Sequence, residues 1–109
     1  MTNNFEEKAR DLVLHQIDQI NVEKLSQQLY LDPSQVYRKI KKATGTSTAI
    51  FIRKIRLERA IELLVGTDMP IKQISYHVGF GEISYFHRCF KESYGITPRD
   101  YRISMSLYD

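Results

Sequence analysis

Two sets of side chains in this sequence carry the means to recognise a polyanion. Ser34, Tyr37, Arg38 and Lys41 are spaced i, i+3, i+4, i+7, and Ser84, His87, Arg88 and Lys91 repeat that spacing 50 residues later. On a helix, such spacing gathers four side chains on one face. An arginine fork can donate two hydrogen bonds to guanine O6 and N7, while serine, tyrosine and histidine can reach base edges or phosphates. Lysine adds a point charge suited to a phosphate. For one helix alone, an ordinary amphipathic surface accounts for the pattern equally well. The recurrence of the same set is what favours recognition.

Catalytic chemistry has little to build on. His15, His77 and His87 are isolated, Cys89 has no second thiol, and no metal-ligand cluster, phosphate-binding loop or nucleophile motif is present. His87 and Cys89 lie two residues apart on one helix and therefore face different ways. Cys89 is expected at the surface or its boundary. Neither an enzyme, nor a cofactor, nor a metal site is expected. One cysteine excludes an internal disulfide, and a reducing cytoplasm is the expected compartment.

The elements that position the two sets are themselves repeated. Val22/Ile71, Leu25/Ile74, Ser26/Ser75, Leu29/Val78 and Leu31/Phe80 match at an offset of 49, and after one extra residue in the second turn the offset becomes 50. At that offset Ser34/Ser84, Val36/Phe86, Arg38/Arg88, Ile40/Phe90, Lys41/Lys91, Gly45/Gly95, Ser47/Thr97 and Phe51/Tyr101 align. Two copies are too few for a solenoid. Between them runs STAIFIRKIRLERAIELLV (residues 47–65), without Gly or Pro. Leu57, Ala60, Ile61 and Leu64 recur at helical spacing there, with Phe51 and Ile55 one turn apart, so it reads as one long connector helix.

Local signals place the other helices. Asn3 or Asn4 can cap a first helix with an apolar stripe of Phe5, Ala9, Leu12, Val13, Ile17 and Ile20. Asn21 caps a short second helix to Leu29, and Tyr30, Leu31 and Asp32 turn the chain. Asp32, Pro33 and Gln35 combine an N-cap acid, a first-turn proline and a capping-box glutamine, so a third helix should run to Thr44 and stop at Gly45. Val36 and Ile40 face its core. After Asp68, Met69 and Pro70, a short helix over residues 71–78 is followed by a Gly79, Phe80, Gly81 turn and a helix over residues 82–94 that buries Phe86 and Phe90. Thr97, Pro98 and Asp100 start the last helix, from which Tyr101 should pack inward.

Composition bounds the remaining choices. The 109 residues are 42% hydrophobic and 27% charged, which suits one ordinary helical domain or two very small ones sharing a core. No apolar run approaches the roughly 20 residues of a membrane span, and MTNNFEEKAR lacks a signal-peptide layout. The net charge of +3 is unevenly placed: residues 33–61 hold eight cations against Glu58 alone, whereas the flanking stretches are slightly acidic. A solvated helix face or a polyanion site would both account for that run.

A short helix, a tight turn and a second helix presenting Ser, Tyr or His, Arg and Lys form a helix-turn-helix pattern, and its duplication suggests insertion into successive major-groove segments. The sequence resembles the DNA-binding domain of AraC/XylS-type bacterial transcription regulators, from about Phe5 to Arg102. The most specific stretches are DPSQVYRKIKKATG (residues 32–45), RLERAIELL (residues 56–64) and IKQISYHVGFGEISYFHRCFKESYGITPRDYR (residues 71–102). The resemblance implies an all-α fold of seven helices, in which two helix-turn-helix subdomains (residues 5–46 and 67–107) are joined by a long central helix (residues 47–66). It implies base contacts from Ser34, Tyr37 and Arg38 in the third helix and from Ser84, Tyr85, His87 and Arg88 in the sixth. Lys41, Lys42 and Lys91 would meet phosphates. Its implied partners are double-stranded DNA with two half-sites about one helical turn apart, and RNA polymerase, most often for activation.

Three positions depart from that family's usual pattern. Thr48 replaces a common proline, Gly81 a small polar cap before the sixth helix, and Pro70 a frequent serine. With no room for a ligand-binding, receiver or sensor domain, the chain is expected to be either a stand-alone regulator or the C-terminal output domain of a larger protein. A helical protein-interaction module using the connector, Tyr85 and Tyr108, or an RNA binder, is the competing reading. Neither explains why the cationic set recurs in register.

Overall fold

The computed structural model describes residues 4–106, and these form seven helices and no strand. They are α1 (Asn4–His15), α2 (Val22–Gln28), α3 (Pro33–Thr44), α4 (Thr48–Gly66), α5 (Ile71–His77), α6 (Ile83–Tyr94) and α7 (Pro98–Ser106). Asn3 and Tyr108 lie outside the described residues. The chain divides into two compact units between Ile55 and Arg56, inside α4. None of the described helices is long and apolar enough to cross a membrane.

In the first unit α1, α2 and α3 pack on one another. Ala9, Val13, Leu25, Val36 and Ile40 are fully buried, and Phe51, Ile52 and Ile55 from the first half of α4 are also buried. The helix expected to carry Ile17 and Ile20 ends earlier, at His15. His15 Nδ1 lies 2.7 Å from the Asp11 carbonyl and Gln16 Nε2 donates to Leu12 O at 3.1 Å, so side chains occupy carbonyls at the end of α1. Ile17 and Ile20 are buried from the turn that follows. Asn21 caps α2 by accepting from Lys24 N at 2.8 Å, and Asp32 with Gln35 forms the reciprocal box at the start of α3.

In the second unit α6 packs on α5 and α7. Ile74, Val78, Phe86 and Phe90 are fully buried, together with Leu57, Ala60, Leu63 and Leu64 of α4. Two expectations need correction. Ile61 is only half-buried while Leu63 is buried, because the buried arc of α4 centres on Ala60 and leaves Ile61 at its edge. Cys89 is 3% exposed, a buried residue rather than one at the surface or its boundary, because it falls on the same arc of α6 as the buried Phe86 and Phe90. Tyr101 stays half-buried, unlike Phe51, but stacks edge-on against Phe90 at 5.7 Å. Arg102 on α7 donates to Leu64 O (2.9 Å), Thr67 O (3.2 Å) and Leu63 O (3.4 Å), tying down carbonyls in the last turn of α4 and just beyond it.

The same joints recur in both units. Leu31 N bonds Ser26 O at 3.1 Å and Phe80 N bonds Ser75 O at 3.0 Å. Ser47 Oγ accepts from Ile50 N at 3.2 Å, and Thr97 Oγ1 accepts from Asp100 N at 3.1 Å. Gly45 (φ 79°) and Gly95 (φ 81°) end α3 and α6 in the left-handed conformation.

Candidate nucleic-acid interface

On α3, Val36 and Ile40 turn into the core, which leaves Ser34, Tyr37, Arg38, Lys41 and Lys42 exposed. The N-cap conditions the first of these. Ser34 Oγ donates to Asp32 Oδ1 at 2.6 Å, and the same oxygen accepts from Gln35 N at 2.9 Å. The Ser34 hydroxyl and the Gln35 N–H hold the Asp32 carboxyl below the usual carboxylate range. With its proton committed, Ser34 presents acceptor lone pairs outward, which suit the amino groups of adenine or cytosine. Lys41 Nζ donates to Gly45 O at 3.0 Å and keeps two further N–H donors.

On α6, Ser84, Tyr85, Arg88 and Lys91 are exposed. Ser84 Oγ donates to Glu82 Oε1 at 2.5 Å, repeating the serine-to-acid contact of the first unit. The sequence signal for this contact is the recurrence of an acid two residues before the serine, Asp32/Ser34 and Glu82/Ser84. Glu82, not Gly81, occupies the N-cap of α6, and its side chain caps no backbone N–H. Gly81 instead takes φ 74° in the turn before it. The Arg88 guanidinium lies over the Tyr85 ring at 5.4 Å, and Tyr85 in turn leans on Phe80 at 5.6 Å. A buried ring thus supports Tyr85, which supports the arginine, limiting the freedom of that long side chain.

His87 departs from the expected exposed set. It is half-buried, its Nε2 is shut off from solvent without a hydrogen-bond partner among the described residues, and its ring lies 6.2 Å from Phe86. The equivalent Tyr37, a longer side chain, is 46% exposed. Within each unit the helix therefore gathers a serine, an arginine and a lysine on one exposed face. Among the described residues, no cluster of His, Cys, Asp or Glu suited to a metal ion is present.

A family profile described as a helix-turn-helix domain matches residues 25–104. The chain is 36% identical over 104 residues to the HTH-type transcriptional activator RhaS of Mannheimia succiniciproducens, covering 92% of this chain and 39% of that protein. It is 39% identical over 85 residues to Histidine kinase P4 of Formosa agariphila, covering 78% of this chain and 6% of that protein. Among solved structures, the C-terminal domain of AraT, a response regulator from Geobacillus stearothermophilus, superposes with a TM-score of 0.84 at 32% identity, covering 94% of this chain and 86% of that one.

This chain belongs to the AraC/XylS family of DNA-binding domains. Family and fold point to the DNA-binding domain of a transcription regulator rather than to a catalytic domain. In this AraC/XylS domain, α2 with α3 and α5 with α6 are the two helix-turn-helix pairs, and α4 is the long central helix. The chain spans well under half the length of both curated relatives named above.

Proposed function

We propose that this AraC/XylS domain binds double-stranded DNA sequence-specifically, with α3 and α6 entering successive major-groove segments at half-sites about one helical turn, roughly 10 bp, apart. Arg38 and Arg88 read guanines, with Ser34, Tyr37, Ser84 and Tyr85 as further base-facing groups, and His87, whose Nε2 is shut off from solvent, drops out of that set. Lys41, Lys42 and Lys91 meet phosphates and fix register. The observation that carries this reading is the recurrence, after two equivalent turns, of an exposed serine, arginine and lysine in the same helical register. Stacking of Arg88 on Tyr85 supports a base-reading role on α6, because an arginine held in place loses less entropy on binding.

The domain acts in the cytoplasm as the DNA-binding part of a regulator that contacts RNA polymerase, most simply as an activator. Either it stands alone or it is the output domain of a larger ligand-responsive or two-component protein. The length of its relatives favours the second form.

Selection of bound sites from a randomised duplex pool at two salt concentrations tests the DNA reading. Two short blocks about one turn apart are expected. One block would restrict base reading to one unit. Binding without a motif that disappears at modest salt would reduce the basic run of residues 33–61 to a nonspecific patch.

A further inference from the structure

Tyr30, in the turn between α2 and α3, is 91% exposed, the most exposed large apolar side chain among the described residues. It is also the only described non-glycine residue with positive φ, at 58°. An L side chain in that conformation is strained, because its Cβ crowds the backbone. The turn does not require the ring. At the equivalent position of the second unit Gly79 takes φ 97°, and the hydrogen bond that closes the turn forms there just as it does beside Tyr30. Tyr30 thus combines backbone strain with an aromatic surface held in water. Among the described residues no contact offsets either cost, which is the pattern of a residue that serves an external contact.

Its place in the fold narrows that contact. Tyr30 lies two residues before Asp32, the N-cap of α3, and the first turn of α3 carries Ser34. Residues 29–35 contain no lysine or arginine, so a phosphate reaching this turn would find the phenol as its side-chain hydroxyl donor on a long arm. We propose that Tyr30 donates its phenol O–H to a DNA phosphate flanking the segment entered by α3. The contact rests on the DNA reading above and extends it. Because the second unit has Gly79, only one half-site receives it, which gives the bound duplex a direction.

The test uses the whole chain and the duplex selected by it, with Tyr30→Phe, Tyr30→Gly and Lys41→Ala titrated over a range of salt. A neutral phenol displaces no counterion, whereas a lysine does. The expected result is that both Tyr30 variants bind on the order of ten-fold more weakly at every salt concentration, with an unchanged salt slope. Lys41→Ala should flatten the slope by about one unit. Thermal unfolding of Tyr30→Gly should occur at or above the wild-type Tm, so that weaker binding is not loss of fold. If both Tyr30 variants bind as wild type does, the contact is overturned while the DNA reading stands, and the ring faces a protein instead. If Tyr30→Phe alone is silent, donation by the hydroxyl is overturned. A wild-type chain that selects no site overturns both readings.

Discussion

Arg38 and Lys41 share the exposed face of α3, yet they are assigned different work. Arg38→Ala should lose on the order of 1 to 3 kcal/mol of discrimination at one base position while keeping the rest of the motif. Lys41→Ala should weaken all duplexes alike and reduce the salt slope by about one. Competition assays with single-base variants of the selected site separate the two, and an Arg38→Ala variant with an unaltered motif would return α3 to the status of a plain surface helix. Asp32 gives a second test at this scale. Its carboxyl is held below the usual range by the Ser34 hydroxyl and the Gln35 N–H, so its contribution to stability is present above the unfolded pKa and lost as pH falls through the lower folded one. Asn at this position keeps an N-cap oxygen but does not titrate. The advantage of wild type over Asp32→Asn should therefore be full well above the ordinary aspartate value of 3.8 and fade as pH falls below it. Chemical denaturation across that window measures it, and parallel curves for the two proteins would mean that these bonds do not stabilise the ionised cap.

Helix starts are the features that local sequence specifies most directly, and α4 has one that can be improved. Thr48 opens α4 after the Ser47 cap, and its Oγ1 is buried without a partner among the described residues. Pro98 holds the equivalent place at the start of α7, also buried. Thr48→Pro removes the orphan hydroxyl, fits the φ of a first helical position and restricts the unfolded chain, so it should stabilise by about 0.4 to 1 kcal/mol. A lower Tm for this variant would show that the threonine methyl packs better than a proline ring. The same contrast explains what could be read from sequence. The seven helices, the caps at Asn21, Asp32 and Thr97, and the stop at Gly45 depend on neighbours within a few residues, and they were legible. Burial of Cys89, the shielding of His87 Nε2 and the exchange of Ile61 for Leu63 depend on which way a helix turns against its unit, which no local pattern encodes. Tyr30 was legible as a turn but not as a left-handed residue, because propensity places glycine or asparagine there.

At the scale of the whole chain, α4 is the only helix shared by the two units described here, and its buried residues divide cleanly. Phe51, Ile52 and Ile55 are buried on the first unit's side of the boundary, and Leu57, Ala60, Leu63 and Leu64 on the second's. One alanine inserted between Ile55 and Arg56 leaves the spacing inside each set intact. It advances everything beyond it by about 100° and 1.5 Å. If α3 and α6 must reach one duplex together, that rotation should abolish selection of the two-block motif while each block remains selectable singly, with helical content unchanged by circular dichroism. Four inserted alanines turn the helix about 40° past a full turn and lengthen it by about 6 Å. Partial recovery is then expected, with the preferred spacing changed by about two base pairs at 3.4 Å each. Selection of the wild-type motif at its wild-type spacing by the one-alanine variant would mean that α4 does not set the phase of the two recognition helices. The half-site spacing would then have to come from the DNA or from another part of the protein.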